Sequence, residues 1–154
     1  MTRADFIAAA TAAAQASSAH SGFPPGVTVA QAALESAWGA SQLSRRAHNY
    51  FGIKAHGTLP WIEMLTHEFE EGKLVRVAAR FARYESIDHC FADRDQLIAR
   101  LGAYQEVRGC AADPEAFLRA LARRWATDPA YAEKLQRLYR THGFDALDRP
   151  SSAN

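Results

Sequence analysis

No stretch of this 154-residue sequence approaches the roughly 18 consecutive apolar residues needed to cross a bilayer, so no membrane-spanning helix is expected. Cysteine is almost absent: Cys90 and Cys110 fit neither a CxxC nor a zinc-finger spacing, and two free thiols are expected. The six histidines show no HExxH or related spacing, and no glycine-rich strand-to-helix loop is present to cradle a phosphate. Neither a metal nor another cofactor is therefore expected. The net charge of +1 lacks the one-sided excess that marks nucleic-acid or polybasic membrane binders, so no nucleic-acid partner is expected. A serine nucleophile elbow is missing too, because Gly39-Ala40-Ser41-Gln42-Leu43 lacks the second glycine of GxSxG.

What remains is an ordinary globular composition, 48% hydrophobic and 23% charged, in a chain of single-domain size. The alanine-rich start carries Asp5 and is too weakly hydrophobic for a secretion signal; it reads as a first helix from Arg3 or Asp5 to about Ser18. A turn through Ser21–Gly26 leads to a second helix, with Thr28 as the expected cap and Gly39 as the expected stop. From Trp61 the pattern changes to a period of two, with Trp61, Leu65 and Phe69 on one side and Ile62, Met64, Thr66 and Glu68 on the other. Glu70-Glu71-Gly72-Lys73 supplies a turn, and Leu74 to Phe81 returns as the second strand of a hairpin. Ser86, Asp113-Pro114 and Asp128-Pro129 each announce a later helix. Helices, one hairpin, then helices again specify an α+β domain over 1–147, a mainly helical body with a small β-hairpin lobe, followed by a polar tail over 148–154.

With nucleophilic serine and metal chemistry set aside, carboxylates carry the remaining possibilities. Glycoside hydrolysis uses one carboxylic acid to protonate the leaving oxygen and a second carboxylate to activate water or stabilise the sugar cation. Glu35 sits at the edge of the apolar stripe formed by Ala30, Ala33, Leu34, Ala37 and Trp38, in the last turn of its helix. Apolar neighbours and the negative end of the helix dipole both favour its protonated form. A solvent-facing helix glutamate, or one paired with Arg45 or Arg46, is the plainer alternative.

The run Val29-Ala30-Gln31-Ala32-Ala33-Leu34-Glu35-Ser36-Ala37-Trp38-Gly39-Ala40-Ser41, followed by Asn49-Tyr50-Phe51-Gly52-Ile53-Lys54-Ala55, resembles the peptidoglycan-cleaving glucosaminidases of glycoside hydrolase family 73. The similarity continues through Thr66–Gly72, Phe81–Tyr84 and Trp125-Ala126-Thr127-Asp128-Pro129-Ala130-Tyr131. The resemblance implies a lysozyme-like fold with the substrate cleft between helical body and hairpin. It makes Glu35 the catalytic acid and Glu68 the second carboxylate, with Asn49, Phe51 and Lys54 along the cleft floor, although Phe51 and Ile53 read equally as core. Trp38 reads as core with some contact to the acid. Trp125 stands where many members have tyrosine, and it reads either as a sugar platform or as core packing; an indole offers only an N–H donor. Tyr84 or Tyr131 is then left to supply a hydroxyl.

The implied activity is cleavage of β-1,4 bonds in peptidoglycan glycan strands by a monomer. Muramidase specificity and a catalytically silent wall-binding or assembly module on the same fold are the alternatives. A protein made in the cytoplasm without a signal peptide would reach the wall through a holin or specialised export, as phage endolysins and antibacterial effectors do.

Overall fold

The computed structural model describes residues 1–150. Seven α-helices and one antiparallel hairpin follow one another in the order α1 (Arg3–Ser21), α2 (Pro25–Ser36), α3 (Gln42–Ala47), β1 (Trp61–Glu70), β2 (Lys73–Ala82), α4 (Ile87–Arg100), α5 (Gln105–Gly109), α6 (Pro114–Trp125) and α7 (Tyr131–Thr141). Short 3₁₀ turns occupy Gly102–Tyr104 and Phe144–Asp148. The helical body with one hairpin lobe is the lysozyme-like architecture expected.

Thr2 and Asp5 form a reciprocal capping box at the start of α1, which buries Phe6, Ala10, Ala13, Ala14 and Ser17 against its neighbours. Small residues along that face let α1 lie close to α2 and α4. In α2, all residues from Gly26 to Ala33 are buried, and so is Ser36, which makes it the central helix of the body. Thr28 is not its cap. The helix starts four residues earlier than a Thr28 cap would place it, with Pro25 at its first position, and the Thr28 hydroxyl bonds back to the Pro24 carbonyl at 3.2 Å.

The N–H groups at the start of α2 are satisfied from the far end of the chain. Asp148 accepts from Gly26 N at 2.7 Å and Val27 N at 3.1 Å, while Tyr139 donates its hydroxyl to the same carboxylate at 2.8 Å. Asp148 is thus part of the packed body rather than of a polar tail; residues 151–154 of that expected tail lie outside the described residues.

The end of α2 also comes earlier than expected. Ala37 and Trp38 both adopt left-handed backbone, at φ 51° and 59°, so the helix stops at Ser36 and Gly39 only continues the turn. Ser36 secures this exit by donating to the Ala32 carbonyl at 2.6 Å and accepting from Gly39 N at 2.9 Å. Glu35 consequently occupies the penultimate position of a buried helix.

The strands pair from Trp61↔Ala82 to Glu70↔Lys73, closed by Glu71 and Gly72, both at positive φ, in a two-residue turn. Trp61, Leu65 and Phe69 are exposed on the outer face, and Ile62, Met64 and Thr66 are half-buried on the inner one, as the period-two pattern predicts. Ser86 caps α4 and Asp113 caps α6, both as expected. Asp128 instead holds a turn through Ala130 N, so α7 begins at Tyr131 rather than directly after the proline. Cys90 and Cys110 are free thiols, the first buried.

Candidate active site

The segment 48–56 wraps over the end of α2 because Asn49 organises it. The fully buried Asn49 amide donates to the carbonyls of Ile53 and Ala82, both at 2.9 Å, and accepts from Phe51 N and Ile53 N. All of its hydrogen-bonding capacity is spent on the loop itself and on the end of β2, so Asn49 shapes the loop from within the core. Phe51 is likewise buried, its ring 4.8 Å from Phe91 and 6.2 Å from Trp125. It belongs to the core beneath the cleft, not to its lining.

Between these two anchors, Gly52 turns at φ +69° and brings its backbone against the acid: a Cβ built there would stand 3.9 Å from Glu35 Oε2. A longer side chain would run toward the carboxylate, and the positive φ independently selects glycine. The half-buried Glu35 also neighbours the Tyr131 hydroxyl at the start of α7. Burial raises the Glu35 pKa above the ordinary glutamate value, and the Tyr131 hydroxyl partly offsets it. The same burial, with the nearby Glu35 charge, pushes the Tyr131 phenol upward, so it stays a neutral hydroxyl. Neither Arg45 nor Arg46, both exposed on α3, appears among the groups that perturb Glu35.

Beside Gly52 lies a pocket of about 390 Å³ walled by Trp125 and Tyr104, with Lys54, His56 and Leu101 around it. The Trp125 indole N–H donates to the Phe51 carbonyl at 3.3 Å, which fixes the plane of the ring at the pocket edge. Lys54 lies with its ammonium 4.8 Å from the Phe81 ring centroid, and its backbone bridges to Phe81 of β2. His56 is oriented by Asp93 at 2.8 Å, and Asp93 also accepts the Tyr84 hydroxyl at 2.5 Å. Tyr84 is thereby committed elsewhere, and Tyr131 is the tyrosine at the acid.

Two residues singled out in the sequence stand apart from this cluster. Trp38 points into a separate groove between α2 and α7, its ring 4.7 Å from His142 and edge-on to Phe6, with the Arg3 guanidinium 4.2 Å above it. The left-handed turn at Ala37 and Trp38 carries the indole off the acid's side of the helix. Glu68 stands on the inner face of β1 opposite Val75, near the hairpin tip, and is exposed. Among the described residues, no group of three or more His, Cys, Asp or Glu side chains is placed to hold a metal ion, and no helix is long and apolar enough to cross a membrane.

Sequence reasoning passed over Tyr104, His56, Gln31 and Arg94. Gln31 carried a usable signal, because it lies one helical turn before Glu35 on the same face. Tyr104, on a 3₁₀ turn after α4, carried none.

A mainly helical body, a hairpin lobe and an acid held at the end of the central helix define a lysozyme-like glycoside hydrolase domain. The glucosaminidase profile described as Mannosyl-glycoprotein endo-beta-N-acetylglucosaminidase matches residues 11–144, and the chain belongs to that family. Relatives include the peptidoglycan hydrolase FlgJ of Pseudomonas aeruginosa, 37% identical over 88% of this chain and 36% of its own length. The exo-glucosaminidase LytG of Bacillus subtilis is 33% identical over 80% of this chain and 46% of its own. The chain thus spans less than half the length of these curated relatives. Among solved structures, the catalytic domain of the autolysin Auto from Listeria monocytogenes superposes with a TM-score of 0.83 at 28% identity, covering 95% of this chain and 87% of that one.

The raised pKa of Glu35 has a consequence for stability. Unfolded, this glutamate titrates near 4.5; folded, it holds its proton to higher pH. As pH rises through that interval the native state binds more protons than the unfolded one, so stability falls. Glu35→Gln is therefore expected to raise the thermal midpoint above pH 5, with the gain fading toward pH 4. Paired thermal scans across that range check it.

Proposed function

We propose that this domain hydrolyses β-1,4 glycosidic bonds in the glycan strands of peptidoglycan, with Glu35 as general acid. The observation that carries the reading is the carboxyl of Glu35, desolvated at the end of α2 between Gly52 and the Tyr131 hydroxyl, in a chain of the glucosaminidase family. An acid that keeps its proton toward neutral pH is what protonation of a glycosidic leaving oxygen requires.

The remaining roles follow from position. Trp125 and Tyr104 offer aromatic faces to a sugar ring beside the acid, and Lys54 supplies a cation at the same pocket. Glu68 acts as the second carboxylate, projecting from the hairpin face that turns toward the body. Its exposure and its place near the hairpin tip make its contribution depend on closure of the hairpin over substrate. Glu68→Gln is expected to lower kcat by about tenfold to a hundredfold, less than loss of the acid does.

The test is product analysis. Purified peptidoglycan digested by the protein should yield fragments with new reducing ends at N-acetylglucosamine, read by reduction and mass spectrometry. New ends at N-acetylmuramic acid would make the domain a muramidase. Fragments with no new reducing ends would overturn the reading.

A further inference from the structure

Behind Glu35 lies a buried polar cluster in a body otherwise packed with apolar side chains. Arg94 of α4 is fully enclosed, and its charge is met by Asp95, whose carboxylate accepts from Arg94 Nη1 at 2.7 Å and from the Ser17 and Ser21 hydroxyls. The same Nη1 donates to Thr28 at 2.9 Å, and Arg94 Nε donates to Gln31 Oε1 at 3.1 Å. Three buried atoms in this region have no partner at full hydrogen-bonding geometry: Arg94 Nη2, Gln31 Nε2 and the Tyr131 hydroxyl. The hydroxyl nevertheless lies close enough to Gln31 and Glu35 to feel both.

The chemistry of these groups gives the cluster a direction. A guanidinium has donors only, so the Gln31 atom facing Arg94 must be the carbonyl oxygen. The Gln31 amide N–H₂ is then the group left to act on the Tyr131 phenol, which feels it. A hydroxyl that accepts from an amide directs its own proton away, and Glu35 is the acceptor there. We propose that Arg94, acting through Gln31, is a positioning residue that holds the Tyr131 hydroxyl as a hydrogen-bond donor to Glu35. This rests on Glu35 being the general acid. A donor-only group at the far end orders the whole series, so the acid meets a fixed dipole rather than a rotating hydroxyl.

Donation from Tyr131 favours the ionised acid, so losing it raises the pKa at which Glu35 gives up its proton and moves the alkaline limb of kcat/KM upward. Tyr131 is the titratable side chain that perturbs Glu35, and Arg94 and Asp95 on α4 complete the charged groups of the cluster behind it; Glu35 itself is unchanged in the decisive variants. Profiles of kcat/KM against pH on solubilised peptidoglycan fragments provide the test. Tyr131→Phe should move the alkaline limb up by about half a unit to one unit. Gln31→Met, similar in length and without polar hydrogen-bonding groups, should move it the same way by less, and should add nothing in the Tyr131→Phe background. Arg94→Lys, still donor-only, should hold the limb near its wild-type position, and Arg94→Met should shift it.

A folded Gln31→Met whose limb stays in place, or whose shift persists undiminished without the Tyr131 hydroxyl, overturns the proposal. If the Arg94 variants fail to fold, the Gln31 pair decides alone. Full activity in Glu35→Gln would sink the general-acid reading itself; an inactive Glu35→Gln with an unmoved Gln31→Met limb sinks only the role of Arg94 and Gln31.

Discussion

Glu35→Gln is expected to lose about a hundredfold to ten-thousandfold of the glycan-cleaving rate, the range a positioned general acid contributes. The substitution keeps the shape of the side chain and its contact with Tyr131 but removes the proton that the leaving oxygen needs. The proposed sugar contacts of Trp125, Tyr104 and Lys54 stay in place, so the loss should fall on kcat with little change in KM. Release of reducing ends from purified peptidoglycan measures it, and wall clearing at the wild-type rate would remove Glu35 from the chemistry. The same variant should be the more heat-resistant protein at neutral pH, since the Glu35 carboxylate is held where charge is disfavoured.

Gly26→Ala is expected to destabilise the domain by at least about 3 kcal/mol, lowering the thermal midpoint by roughly 6–12 °C. A Cβ at this position would meet the Phe144 carbonyl oxygen at 2.1 Å and Asp148 Oδ2 at 2.7 Å. The first obstacle is backbone, so the 3₁₀ turn from Phe144 to Asp148 must move away as a unit. That movement also withdraws Asp148 from the N–H groups of Gly26 and Val27. The prediction is checked by denaturant titration against wild type. Asp148→Asn, which keeps the volume and weakens only the hydrogen bonds, should be milder.

What could be read from the sequence divides by distance along the chain. Ser86, Asp113 and the Glu71-Gly72 turn act on residues within four positions, and each does what its local chemistry indicates. Thr28 carried the same local signal and was overruled, because Pro25 starts the helix and the threonine hydroxyl is enlisted by Arg94 from another helix. Asn49 was legible as part of a motif but not as a buried organiser, since its partners Ile53 and Ala82 are backbone groups that composition does not reveal. Trp38 packs against the core through Phe6 and Phe144, as expected, while two successive left-handed residues that are not glycine turn its indole toward the groove between α2 and α7.

The acid itself was visible in the pattern, because a carboxylate at the edge of an apolar helix is an anomaly by itself. Its environment was not. Tyr131, Gly52, Gln31 and Arg94 come from three further regions of the chain and from the preceding turn of α2, and only the closed fold brings them within reach of one another.

The tie between Asp148 and the first turn of α2 spans 122 residues. Contacts of such long sequence separation form late, because the intervening chain must first surrender its freedom to bring the ends together. During synthesis, the N-terminus of the helix that bears Glu35 waits for this partner until nearly all of the described chain has been made. A nascent fragment that already contains Glu35, the loop and the hairpin therefore lacks the clasp at the head of α2, and completion of the surroundings of Glu35 is deferred to the last turn of the fold.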